Sequence, residues 1–107
     1  MAPQKASFQG EGKLMITVIA TIRAKPGKGP DLEADFRAWA EVVKAKEPGT
    51  LMYTLSRSRE DPNVFTALEF YADDAAVQAH MANFQARPAG EDLAVGPPQI
   101  QVLDKIV

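Results

Sequence analysis

The segment from Leu14 to Ala24 constrains the fold more than any other, because both of its alternating faces are largely apolar. Its β-branched residues favour an extended backbone and a turn follows it, so we predict a strand. Successive side chains of a strand point to opposite faces, here Ile16, Val18, Ala20 and Ile22 on one and Met15, Thr17, Ile19 and Thr21 on the other. A strand that is apolar on both faces is typical of the middle of a sheet.

Two helices are predicted from apolar residues at helical spacing. After a turn of residues 25–30, rich in proline and glycine, the first helix is predicted from Leu32 to about Lys46, with Asp31 at its start. The segment 47–49 (Glu-Pro-Gly) ends it, since proline cannot continue a helix. The segment 72–74 (Ala-Asp-Asp) is predicted to cap the second helix, whose apolar stripe consists of Ala76, Val77, His80, Met81 and Phe84.

Three further strands complete the pattern. Residues 50–58 and 64–71 have the alternation of strands, and the short polar turn between them favours an antiparallel hairpin. The segment 85–98 contains adjacent prolines and two glycines, so we predict a loop, with room for a short helical turn over 91–94. A last strand is predicted over 99–107.

The predicted order is strand, helix, strand, strand, helix, strand, which is the split βαβ arrangement of ferredoxin-like folds. It predicts the α+β class with an antiparallel sheet. The 107 residues suit one domain; we assign residues 14–107 to it and the polar residues 1–13 to a flexible N-terminal tail. Two helices cover one face of the sheet and no element remains for the other, so we expect a homodimer that buries it.

Composition excludes several classes of function. The formal net charge is −2 and no window is dense in lysine or arginine, which argues against nucleic acid as a partner. The longest apolar-rich stretch is shorter than the ~20 residues of a membrane span, and the N-terminus lacks the apolar region of a signal peptide. We therefore expect no membrane association and a cytoplasmic location, which the lack of cysteine also suits.

Motifs for bound cofactors are missing as well. With one histidine and no cysteine, the chain has no multi-histidine or thiolate metal site. The sequence contains no G-x-G-x-x-G, no phosphate-loop pattern and no G-x-S-x-G. We therefore expect neither a metal nor an organic cofactor.

His80 is the strongest candidate for chemistry, because it is the only side chain in the sequence whose unperturbed pKa lies near neutrality. Its position on the apolar stripe of the second helix predicts a ring that points between helix and sheet. The alternative is a core histidine with a structural hydrogen bond to a carbonyl or hydroxyl group. The sequence leaves both interpretations open.

Glu69 and Tyr71 lie on one face of the third strand. Glu69 is a charge within an otherwise apolar segment, where burial is costly unless the carboxylate has a partner. It could pair with Arg57 or Arg23 across the sheet. If its face lies under the helices, Glu69, Tyr71 and His80 converge on one cavity; the sequence does not decide which face that is.

An ordered set of motifs gives a resemblance to a known family. The motifs are Pro26-Gly27-Lys28 after the first strand, Glu-Pro-Gly-Thr-Leu-Met-Tyr at 47–53, Asp-Pro-Asn-Val-Phe at 61–65, Glu-Phe-Tyr-Ala-Asp at 69–73, and the helix histidine His80. No single motif is specific, but the set resembles the antibiotic biosynthesis monooxygenase family. The resemblance extends from Met15 to Phe84, with a weaker match through the last strand.

The resemblance implies a dimer whose two sheets form an α+β barrel, with a pocket between each sheet and its helices. Some members of this family oxygenate quinols or polyphenols with dioxygen and need no cofactor. By resemblance, His80 is the catalytic base, and Tyr71 and Glu69 orient the substrate or the imidazole. The implied substrate-binding residues are Tyr53, Phe65, Met81, Phe84, Asn83 and Trp39. Trp39 equally suits the core, and Asn83 stands where many members have a second histidine.

Three alternatives use the same fold. His80 could ligate a haem, although haem oxygenases of this fold use asparagine and tryptophan where this chain has Thr17 and Ala67. An isomerase of a phosphorylated sugar needs a phosphate site, for which the candidates are Lys25, Lys28 and Arg87. The third alternative is a small-molecule-binding or stress-response protein that uses the same pocket without turnover.

Overall fold

The computed structural model describes residues 15–88 and 90–107. This part of the chain forms, in order, β1 (Ile16–Arg23), α1 (Gly29–Lys46), β2 (Thr50–Arg57), β3 (Val64–Tyr71), α2 (Asp74–Gln85) and β4 (Gln99–Asp104). The α+β class and the ferredoxin-like order are thus confirmed. The predicted N-terminal tail, residues 1–13, lies outside the described residues.

The strands form one antiparallel sheet in the order β2-β3-β1-β4. β1 pairs with β3 on one side and with β4 on the other, which confirms its predicted place in the interior of the sheet. Directly opposite residues of antiparallel strands point to the same face. Glu69 of β3 lies opposite Val18 of β1 and Tyr53 of β2, so these three side chains share a face.

The first helix packs on this face with the predicted apolar stripe. It begins at Gly29, earlier than predicted, because Pro30 in the first turn has the backbone angle of a helix and its missing N–H costs nothing there. The helix buries Leu32, Phe36, Trp39 and Val43 against the sheet.

The second helix begins at the predicted cap, where the Asp73 carboxylate accepts a hydrogen bond of 2.9 Å from the backbone N–H of Ala76. His80 is the one buried residue of α2, whereas Met81 and Phe84 are 39% and 38% exposed. Both belong to the predicted apolar stripe but remain exposed, because α2 contacts β2 and β3 only sparsely and leaves much of its apolar side uncovered. Among the described residues, neither helix combines the length and the apolar character that crossing a membrane requires.

The segment before β4 is extended where the sequence allowed a helical turn. Ala94 forms a β-bridge with Ala24. The backbone N–H of Lys25 donates to Leu93, and that of Val95 donates to Arg23, at 2.8 Å each. These bonds continue the pairing of β1, so the helical turn at 91–94 is wrong.

The opposite face of the sheet, here called the open face, is mixed at its centre, where Thr17, Thr54 and Gln101 lie among apolar side chains. Ile19, Leu68 and Phe70 lie on it, with Met15 and Leu103 beside them. Leu68, Met15 and Leu103 are exposed to solvent in the single chain. Neither described helix covers this face.

Candidate active site

The structure decides which face of β3 carries Glu69 and Tyr71. Both side chains are buried and lie under the helices. Tyr53 of β2 is directly opposite Glu69, and His80 reaches the same place from α2. Three chain segments that are distant in sequence therefore meet at one end of the sheet.

His80 is held between two carboxylates. Its Nδ1 atom lies 2.8 Å from Oε1 of Glu47, and its Nε2 atom lies 3.9 Å from Oε1 of Glu69. Because an ionised carboxylate only accepts hydrogen bonds, the bond to Glu47 places a proton on Nδ1 and leaves the lone pair of the neutral ring on Nε2. The core-histidine alternative predicted that His80 is hydrogen-bonded to a carbonyl or hydroxyl group. That partner is wrong, because His80 is bonded to the carboxylate of Glu47.

Glu47 is the residue that sequence reasoning missed. It follows α1 directly and is only 5% exposed. Besides the imidazole, its carboxylate accepts hydrogen bonds from Thr50 Oγ1 at 2.8 Å and from Asn83 Nδ2 at 3.1 Å. In the sequence, Glu47 marks only the end of a helix. The one feature that points to a role at the site is its position at the start of the motif 47–53.

Glu69 finds its partner within its own strand. The hydroxyl of Tyr71 donates to Oε1 of Glu69 at 2.5 Å. Pairing of Glu69 with arginine is wrong, because Arg23 binds Asp61 and Arg57 binds Glu33. The side chains of these two arginines are exposed to solvent, whereas Glu69 is buried.

Burial is the main cause of the pKa shifts of Glu69 and Tyr71. Desolvation raises the pKa of Glu69 above its ordinary value, against the opposing effects of the Tyr71 hydrogen bond and the His80 charge. Desolvation, followed by the hydrogen bond to Glu69, raises the pKa of Tyr71 as well. Tyr71 therefore remains a protonated donor at neutral pH.

Aromatic rings enclose the imidazole. The ring centroids of Tyr53 and Tyr71 lie 5.4 Å from that of His80, and the centroid of Trp39 lies 5.9 Å away. Burial, and then the charge of Glu69, raises the pKa of Tyr53. The Trp39 N–H is close enough to the Tyr53 hydroxyl to oppose this rise, but it misses hydrogen-bond geometry and has no partner among the described residues.

The structure brings most of the predicted site residues together. We use the name His80 cluster for Glu47, Tyr53, Glu69, Tyr71, His80 and Asn83. Trp39 packs against the cluster, and Phe84 packs edge-on against Trp39 at 5.7 Å. Phe65 lies four residues before Glu69, about 13 Å along the strand, and belongs to the main core. Met81 is largely exposed, so neither Phe65 nor Met81 is part of the cluster.

Two surface grooves approach the cluster from outside. The edge groove, about 400 Å³, runs between α1 and β2 and ends at Tyr53; its wall also contains Phe36, Arg37, Leu55, Arg57 and Phe65. The helix groove, about 530 Å³, runs between α1 and α2, and its wall includes Asp35, Trp39, Val42, Lys46, Asn83 and Arg87. His80 lines neither groove. Tyr53 separates it from the first groove, and Asn83 and Trp39 separate it from the second.

This arrangement suits proton transfer at Nε2 of His80. A carboxylate bonded to the other ring nitrogen fixes the orientation of the imidazole and stabilises its protonated form. Although two glutamates flank the ring, no group of three or more His, Asp or Glu side chains in the described part of the chain is placed to hold a metal ion.

Comparison with known proteins agrees with the fold. The family model of antibiotic biosynthesis monooxygenases matches residues 15–90. A crystal structure from Caulobacter crescentus, assigned to the same family, is 33% identical, with a TM-score of 0.74 over 89% of this chain and 92% of that one. PA3566 from Pseudomonas aeruginosa is 30% identical, with a TM-score of 0.74 over 89% and 97% of the two chains. No curated protein matches the chain.

Proposed function

Because the chain belongs to the antibiotic biosynthesis monooxygenase family, we propose that it oxidises a small aromatic quinol or polyphenol with dioxygen and without a cofactor. The observation that carries this proposal is the buried pair of Glu47 and His80, which leaves Nε2 without a hydrogen bond among the described residues. With a quinol, one oxygen atom enters the ring and the other leaves as water. The product is a hydroxyquinone, and no external reductant is required.

His80 acts as the base in this proposal. A quinol or phenol transfers an electron to dioxygen far more readily as its anion, so the protein must remove a proton near neutral pH. Nε2 of His80 takes this proton, and Glu47 stabilises the imidazolium that forms. Tyr71 holds the carboxyl group of Glu69 in position beside Nε2 of His80.

The substrate reaches Nε2 from one of the two grooves. Movement of Tyr53 would open the edge groove to His80, and movement of Asn83 would open the helix groove. We therefore propose Tyr53, Asn83 and Trp39 as residues that contact the substrate. The rings around His80 exclude water, which favours electrostatic stabilisation of the anion.

The test is dioxygen uptake with menadiol and a panel of polyphenols, corrected for oxidation without protein. We expect His80→Ala to lower kcat at least about 100-fold, the lower end of general-base contributions. Gln78→Ala, at an exposed position of the same helix, is the matched control and should keep the wild-type rate. Equal rates for His80→Ala and the wild type would refute the role of His80.

A binding protein without turnover is the second candidate. It is favoured by the 7% exposure of His80 and by its absence from the wall of either groove. It predicts saturable binding of the aromatic ligand with no dioxygen uptake above the blank. Of the three phosphate-site candidates, Lys25 and Lys28 are engaged by Asp92 and Glu91, so only Arg87, which keeps further donors beside its bond to Asp35, remains available for an anion.

We also propose that a second copy of this chain covers the open face. This face presents exposed apolar side chains, Leu68 and Leu103 among them, of the kind that homodimer interfaces bury. The wild type should have twice the chain mass in sedimentation equilibrium, and Leu68→Asp should have the mass of one chain. Val42→Asp, an equally exposed position on the helix side of the sheet, should remain a dimer; a monomeric wild type at micromolar concentration would refute the proposal.

A further inference from the structure

We propose that the helix groove selects the substrate by charge: Arg87 binds an acidic group of an aromatic anion whose ring lies on the apolar part of the groove, and Lys46 adds positive charge to the same wall. This inference rests on the proposed function and deepens it. It names the substrate class as aromatic compounds that carry a carboxylate, or a comparable acidic group, beside the oxidisable hydroxyl.

Arg87 is fixed in position before any ligand arrives. Its guanidinium carbon lies 5.1 Å from the ring centroid of Trp39 and 4.9 Å from that of Phe84. One nitrogen donates to Oδ2 of Asp35 at 2.8 Å. Guanidinium has five N–H donors, and the bond to Asp35 is its single hydrogen bond among the described residues, so donors remain for a planar acidic group. The side chain is 27% exposed, which keeps these donors within reach of solvent.

The groove carries more positive than negative charge. Lys46, in the last turn of α1, lies in its wall and forms no ion pair among the described residues. Lys46 and Arg87 therefore face a single carboxylate, that of Asp35. Ala38, Val42 and Pro88 supply the apolar part of the wall, and a volume of about 530 Å³ accommodates a bicyclic ring.

The edge groove has the same net charge as the helix groove, because its wall contains Arg37, Arg57 and Lys44 against Glu33 and Glu41. The difference lies in the pairing. Arg37 and Arg57 both bind the carboxylate of Glu33, and Lys44 lies 3.6 Å from Glu41, whereas Lys46 of the helix groove forms no ion pair among the described residues. This free cation favours the helix groove as the binding place of an anion.

The helix groove is also connected to the His80 cluster. Asn83 lines the groove and donates a hydrogen bond to Glu47, and Trp39 lines it while packing against the imidazole. A ring anchored at Arg87 therefore lies against Asn83 and Trp39, the two residues that separate the groove from His80.

The test is calorimetric titration under nitrogen with two probes, 1-hydroxy-2-naphthoate and 1-naphthol, which differ in one carboxylate. We expect the wild type to bind the carboxylate at least about tenfold more tightly. Arg87→Gln should abolish this preference, and Arg87→Lys should keep part of it, because lysine retains the charge but not the planar fork. Arg37→Gln, in the edge groove, is the matched control and should keep the full preference.

Equal affinity of the wild type for both probes, or a full preference in Arg87→Gln, would overturn the inference. The proposed function is tested separately by dioxygen uptake. His80→Ala should bind 1-hydroxy-2-naphthoate as the wild type does while losing turnover of quinols. If quinols are turned over but the carboxylate probe is not preferred, charge selection is refuted and the proposed function stands. If the carboxylate probe is preferred but no substrate is turned over, the proposed oxygenase activity is refuted and the anion site remains supported.

Discussion

Replacement of Glu47 by alanine removes one buried carboxylate on which three side chains depend. His80, Thr50 and Asn83 all donate to it. Thr50 and Asn83 are half-buried, so water can replace part of their lost hydrogen bonds. His80 is buried, and its Nδ1–H would be left without a partner in a site that excludes water.

The expected loss of stability follows from these contacts. A hydrogen bond to a charged group contributes about 1.5–3 kcal/mol, and an unsatisfied buried donor costs about 1–3 kcal/mol. Together with the smaller losses at Thr50 and Asn83, Glu47→Ala should lower the free energy of unfolding by about 3–5 kcal/mol. Glu47→Gln keeps an oxygen for the Nδ1–H of His80, so a smaller loss of about 1–2 kcal/mol is expected.

Urea unfolding at fixed protein concentration, followed by circular dichroism and by the fluorescence of Trp39, measures the change. Glu41→Ala is the matched control: its carboxylate belongs to α1, the helix that Glu47 follows, is 77% exposed and pairs with Lys44, so its removal should change stability by less than about 0.5 kcal/mol. A loss below about 1 kcal/mol for Glu47→Ala would show that the carboxylate does not hold the cluster together.

Two further predictions concern Glu69 and Gly49. Because the folded pKa of Glu69 is raised, the folded protein binds this proton more tightly, and stability falls as pH rises from the unfolded pKa through the folded one. Glu69→Gln has no carboxyl group to titrate at this position, so it should not show this loss. The free energy of unfolding of Glu69→Gln minus that of the wild type should therefore increase with pH; a difference that stays constant with pH contradicts the argument. At Gly49 an added Cβ would lie 2.6 Å from Cβ of Ala76, so Gly49→Ala should cost about 1–3 kcal/mol in thermal unfolding. Gly90→Ala meets nothing within 4 Å and is the control.

Part of the candidate site was predictable from the sequence because its residues carry local signals. His80 is the single histidine, and Glu69 is a charge within an apolar strand. Whether His80 and Glu69 lie close together depends on which face of β3 the helices cover. Both faces of β1 are apolar, so alternation could not decide this. Glu47 had no periodic signal, because it lies just after the helix, where any polar residue is tolerated.

The sequence by itself determined the six elements and their order, since each depends on local periodicity, a turn or a cap such as Asp73. The tertiary structure alone decided the partner of His80, because Glu47 lies 33 residues away along the chain. It also decided how deep each α2 side chain is buried, since that depends on where the helix rests on the sheet. Local patterns fix which residues share a face; only packing between distant segments brings those faces together.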